Sequence, residues 1–99
     1  MARPEYTLKI NINGRNLNRV IIDQHYKEKH AESINDQLIL DLIQTLDGRA
    51  FPIEEVHGEF QYFTVEPVLK GNSPHRLVLL ICISDDYLGV INAFRVDRR

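Results

Sequence analysis

Apolar residues in the stretch SINDQLILDLIQTLDG, residues 33–48, return with the period of a helix. Ile34, Leu38, Leu42 and Leu46 recur every four residues, and Ile39 and Ile43 fill in beside them. At helical pitch all six fall on one broad face, so the pattern predicts an amphipathic helix over residues 34–47. Ser33, three residues ahead of Asp36, offers a hydroxyl to an orphan amide of the first turn. The Asp36 carboxylate then sits at the positive helix end, and Gly48 supplies the permissive backbone that stops the helix.

Elsewhere the period is two. Leu8, Ile10 and Ile12 alternate with Lys9 and Asn11 as in a half-buried strand, and Asn13-Gly14 favours the positive backbone angles of a tight hairpin turn. Residues 17–23, centred on Val20, Ile21 and Ile22, are then the returning strand, unless the polar run NGRNLNR opens a longer loop. After the helix, Pro52 argues for an edge strand or loop around Ile53 to Val56. The segment EFQYFTVE, residues 59–66, reads as a strand ending at Pro67, with Phe60, Tyr62 and Thr64 on one face and Gln61, Phe63 and Val65 on the other. His75 to Ile83 is apolar almost throughout and reads as a central strand covered on both faces. In the last strand, residues 87–96, Leu88, Val90, Asn92, Phe94 and Val96 alternate with Gly89, Ile91, Ala93 and Arg95. The order β-β-α-(β)-β-β-β predicts an α+β domain: an antiparallel sheet of about four to six strands packed on one face by a main α-helix.

Ninety-nine residues, 43% hydrophobic and 26% charged, suit one globular domain, with no repeat or low-complexity segment. The single cysteine, Cys82, lies inside the apolar run and reads as a small buried hydrophobe, which suggests a reducing compartment. The N-terminal MARPEYTLKI lacks an apolar core of signal-peptide length, and the longest apolar run, seven residues, is too short to cross a bilayer. The expected address is the cytoplasm, with no membrane partner. Net charge is −2, against the basic balance usual in nucleic-acid binders. Cations nevertheless group as Arg15, Arg19, Lys27 and Lys29 before the helix and Arg95, Arg98 and Arg99 at the end, apart from acids at Asp36 to Asp47 and Glu54 to Glu66.

The densest chemistry is HYKEKH, residues 25–30, which puts two imidazoles, a phenol and two ammonium groups in six residues. His25 and His30 are five apart, not the four that sets two zinc ligands on one helix face, so neither a metal site nor a cofactor is expected here. Without a partner elsewhere in the fold, the segment is a solvated turn or short helix.

Three features together resemble the BrnT-like and RelE-like toxins of bacterial toxin–antitoxin systems and the small domains related to them. They are Lys29-His30 just ahead of the Ser-Ile-Asn-Asp helix start, the strand block EFQYFTVE, and the closing pair HRLVLLICI and YLGVINAFRV. The likeness covers residues 20–96 and is one of layout; the chain departs from the pattern in being slightly acidic and in lacking a dense arginine cluster. The resemblance implies a metal-independent endoribonuclease, RNA as substrate and a cognate antitoxin as partner. Such cleavage needs a base for the 2′-hydroxyl, fixed positive charge for the phosphorane and an acid for the leaving oxygen. His25 and His30 are the candidate acid and base, with Arg95 completing the catalytic set. Lys27 and Lys29 would add charge for RNA, and Tyr62 a stacking ring.

The alternative is a non-enzymatic protein-interaction or self-association domain. Phe63, Val65, Ile91 and the central strand present more apolar surface than one helix covers, and Leu40 falls on the polar side of the helix. Either the N-terminal hairpin covers the second face or another chain does, as in a homodimer.

Overall fold

Asn13 and Gly14 take positive φ angles of 55° and 76°, which turns β1 (Glu5–Ile12) directly back into β2 (Arg15–Ile22). This hairpin opens the fold in a computed structural model that describes residues 3–96. A 3-10 turn, Gln24–Tyr26, runs into the one-turn helix α1 (Lys27–His30), and the main helix α2 (Asp36–Gln44) follows. The chain then adds β3 (Glu55–His57), β4 (Phe60–Lys70), β5 (Ser73–Cys82) and β6 (Tyr87–Arg95).

All six strands form one sheet in the order β1-β2-β6-β5-β4-β3, curled into a half-barrel. The sheet is mixed, not wholly antiparallel as the alternation led one to expect: β2 runs parallel to β6, with Val20 opposite Leu88 and Ile22 opposite Val90. Those four side chains are buried, so pairing the hairpin with β6 matches apolar positions on one face and removes two exposed edges at once. The hairpin therefore extends the sheet and leaves its second face uncovered.

Helix α2 is shorter than its apolar pattern. Its cap is Asn35, whose Oδ1 accepts from Leu38 N at 2.8 Å, and Ser33 lies two residues outside it. Ile34, just before the cap, and Leu46, just after the helix, are still buried, so the apolar face outruns the helical backbone at both ends. Ile39, Leu42, Ile43 and Leu46 belong to the same buried cluster as Leu77, Leu79, Ile81, Phe63 and Val65. Leu38 is only half-buried, whereas Leu40, expected on the polar side, packs against that cluster too. Gly48, at φ 79°, ends the excursion by donating its amide to Asn11 O at 2.7 Å.

Two register shifts correct the strand reading. Strand β4 does not end at Pro67 but passes through it, at an irregularity between Val65 and Val68 where the ladder asks no amide of the proline. In β6 an extra residue intervenes where Val78 pairs with Asn92 but Leu79 pairs with Val90. The simple alternation therefore breaks at Ile91. Leu88, Val90, Ala93 and Arg95 share the core face, and Tyr87, Gly89, Asn92 and Phe94 share the other. On that other face of β5, Val78 and Leu80 are half-buried, so the central strand is covered fully on one side only.

Candidate functional site

The placement of HYKEKH begins with Asp23, which accepts from His25 N at 2.8 Å and starts the 3-10 turn. Tyr26, the one buried residue of that turn, reaches α2 and donates its hydroxyl to Asp36 Oδ1 at 2.5 Å. Tyr6 of β1 donates to Asp36 Oδ2 at 2.6 Å, and Gln24 Nε2 lies 3.3 Å from Oδ1. One carboxylate thus ties β1, the turn and the first residue of α2. Burial alone would raise the Asp36 pKa, but donation from Tyr26, Tyr6 and Gln24, with Lys27 nearby, holds it below the ordinary carboxylate value. The phenols shift the other way. Tyr26 is raised by burial and by its bond to the anion, and Tyr6 chiefly by its bond to the anion.

Held by this knot, the turn and α1 pass beside β6 beyond the point where β2 stops, and Asp23 N still donates to Val90 O at 2.9 Å. His30 ends α1, its carbonyl accepting from both Ser33 and Ile34. The half-buried His30 imidazole stacks on Phe94, with centroids 5.3 Å apart and planes 24° from parallel. Arg76, the cross-strand partner of Phe94, places its guanidinium 5.9 Å from the same ring, and its Nη1 is 3.7 Å from Glu66 Oε1. The imidazole and the guanidinium therefore each lie against the same ring, the first brought by α1 and the second by β5, and the Arg76 side is open to solvent.

The other candidates are spread around this cluster. His25 is exposed, its Nδ1 against the Glu28 carboxylate three residues on. Lys27 and Lys29 are exposed on α1. Arg95 is exposed at the end of β6 on the core face, opposite His75, which is 3% exposed and whose Nδ1 has no hydrogen-bond partner among the described residues. Tyr62 is on the other face. It meets His57 and Phe60 edge-on and lines a cavity of about 350 Å³ with Leu80, Tyr87, Gly89 and Ile91. Arg95 and Tyr62 thus point to opposite sides of the sheet, and the bulge in β6 is what parts them.

The cations before the helix do not pool into one patch. Arg15 pairs with Asp86 at 3.0 Å, and Arg19 pairs with Glu5 and Asp85. Of the terminal group only Arg95 falls within the described residues, Arg98 and Arg99 lying outside them. Among the described residues no three His, Cys, Asp or Glu side chains gather as a metal site, and no helix is long and apolar enough to cross a membrane.

Sequence reasoning missed Phe94, Arg76 and Glu66. An unbroken alternation puts Phe94 on the opposite face, and Arg76 stands inside an apolar run. The signal for their meeting is the register of β5 on β6, which a bulge conceals from the sequence.

Comparison with protein-family models, curated proteins and solved structures finds no match.

Proposed function

We propose that the chain is a metal-independent endoribonuclease of the bacterial toxin type, acting in the cytoplasm and held in check by a cognate antitoxin. The observation that carries the reading is the half-buried His30 imidazole stacked on Phe94 with the Arg76 guanidinium at the same ring. His30 takes the 2′-hydroxyl proton or returns one to the leaving oxygen, a task for which histidine suits neutral pH. Arg76 stabilises the charge that grows on the phosphorane, where a planar fork of donors outperforms a point charge. His25, with Glu28 against its Nδ1, is the second imidazole, and Lys27 and Lys29 draw the RNA backbone toward α1. Arg95, on the far side of β6, is the alternative source of fixed charge.

The deciding assay offers total RNA to the purified protein in excess EDTA, beside His30→Ala, Arg76→Ala and Arg95→Ala. Cleavage by the wild type, lost in the first two variants with melting temperature unchanged, is the expected result. Loss in Arg95→Ala alone moves the charge to the core-face end of β6. Equal cleavage by all four proteins means a contaminant. No cleavage by the wild type, together with harmless induction in cells, leaves the interaction-domain reading, for which the half-open apolar face along Leu80 and Ile91 is the natural contact surface.

A further inference from the structure

The cavity of about 350 Å³ on the uncovered face lies apart from His30 and Arg76 but on the same side of the sheet. Its floor is Leu80 lying across Gly89, its cross-strand partner; a Cβ on Gly89 would fall 2.8 Å from Leu80 Cγ, so any other residue there would displace the floor. Phe60 and Tyr62 rise from β4 on one side, and Tyr87 and Ile91 from β6 on the other. The two strands stand two spacings apart, about 10 Å, with β5 and its Leu80 between them. Arg19 lies over the Tyr87 ring, its guanidinium 5.3 Å from the centroid. At the rim, Arg3 Nε is 3.4 Å from Asp23 Oδ2, which sets a donor beside an acceptor above aromatic walls.

We propose that this cavity is a nucleobase subsite that seats one unpaired base of a single-stranded RNA. Aromatic walls recognise the face of a base, and a donor next to an acceptor matches its hydrogen-bonding edge, which an apolar protein side chain lacks. The placement supports the same ligand. Gly89 and Phe94 are five residues apart and would point to opposite faces in a regular strand; the bulge at Ile91 returns them to one face, at opposite ends of β6. This inference rests on the ribonuclease reading for its direction: a strand whose phosphate lies at Phe94, beside His30 and Arg76, runs along β6 and drops a base, a few nucleotides away, beside Tyr62.

The test titrates AMP, GMP, CMP and UMP into the wild type and Tyr62→Ala, following backbone amide shifts by NMR, with ribose 5-phosphate and N-acetyltyrosinamide as controls. Nucleotides should shift the amides of Leu80 and Gly89 while ribose 5-phosphate does not, and Tyr62→Ala should weaken binding about tenfold, with Tyr62→Phe restoring it. That result stands even if no RNA is cut, in which case the ribonuclease reading alone falls. Cleavage of RNA with no nucleotide shift at Gly89, or with shifts that survive Tyr62→Ala, overturns the subsite and leaves the cleavage centre intact. Shifts at Gly89 as strong with N-acetyltyrosinamide as with the nucleotides overturn it in favour of a protein side chain.

Discussion

Asp36 does the work of a clamp with a single carboxylate. Its oxygens accept from Tyr26 at 2.5 Å and Tyr6 at 2.6 Å, and hydrogen bonds to an ionised group are the strong kind. Because the folded pKa of Asp36 is lowered, its contribution is present above its ordinary value near 3.8 and is lost as pH falls through the folded value. Tyr6 and Tyr26 are raised, so theirs is complete below the ordinary value of 10.0 and is lost only as pH rises beyond it. The clamp should therefore hold across the whole window from about pH 4 to about pH 10. Asp36→Asn keeps the shape and removes the charge. It should cost about 1–3 kcal/mol at pH 7 and flatten the acid limb of stability against pH, read by urea denaturation at pH 7 and pH 3. An unchanged pH profile would show that the carboxylate is not the group that ties the turn to α2. A second readout is the His30 ring: loosening the knot should let it leave Phe94, visible as a loss of ring-current shift.

At the scale of elements, α2 and the strands differ in how much their local sequence says. Leu42 is fully buried in the common core, and Leu42→Ala should cost about 2–5 kcal/mol, seen as a fall in melting temperature; an unchanged transition would mean that this helix face is not core. The helix and the first hairpin were legible because a periodic apolar face and an Asn-Gly turn are local facts. Sequence alone places the cap two residues early: Ser33 and Asn35 are both good caps, and it is Asn35 that accepts from Leu38 N, with the buried Ile34 left outside the helix. The pairing of β2 with β6 was not legible, since a parallel neighbour 60-odd residues away leaves no mark on either strand beyond ordinary apolar alternation. Nor was the bulge at Ile91. Its neighbours Val90, Ile91 and Asn92 fit an unbroken alternation as well as a broken one, and only the fixed positions of Leu77 and Leu79 on β5 decide between them. That one residue brings Phe94 to the face that already holds Arg76 and takes Arg95 out of the face that holds Tyr62. His30 was legible as chemistry and not as geometry, because its partner ring is 64 positions along the chain.

Across the whole molecule, if the proposed ribonuclease function holds, the net charge of −2 limits how RNA would be held. Arg15, Arg19 and Arg3 are committed to Asp86, to Glu5 and Asp85, and to Asp23, and each would have to give up an acid to meet a phosphate. Arg76 is weakly tied to Glu66 at 3.7 Å, and Lys27, Lys29 and Arg95 have no ion pair among the described residues. Arg95 lies on the other face of the sheet from Arg76, so an RNA bound at α1 and Arg76 meets at most three of these cations. With two or three phosphates neutralised, the plot of log affinity against log salt should have a shallow slope of about −1.4 to −2.1, since single strands give roughly −0.7 per phosphate. The rest of the affinity must then come from stacking, which salt leaves largely alone. Fluorescence anisotropy of a short labelled RNA with His30→Ala protein, from 50 to 300 mM salt, measures the slope. Lys27→Ala with Lys29→Ala should reduce it by about 1.4 while leaving the stacking contribution in place. A slope steeper than about −4 would require the paired arginines to open or a longer track of phosphates than α1 and β6 provide, and would place the RNA elsewhere on the molecule.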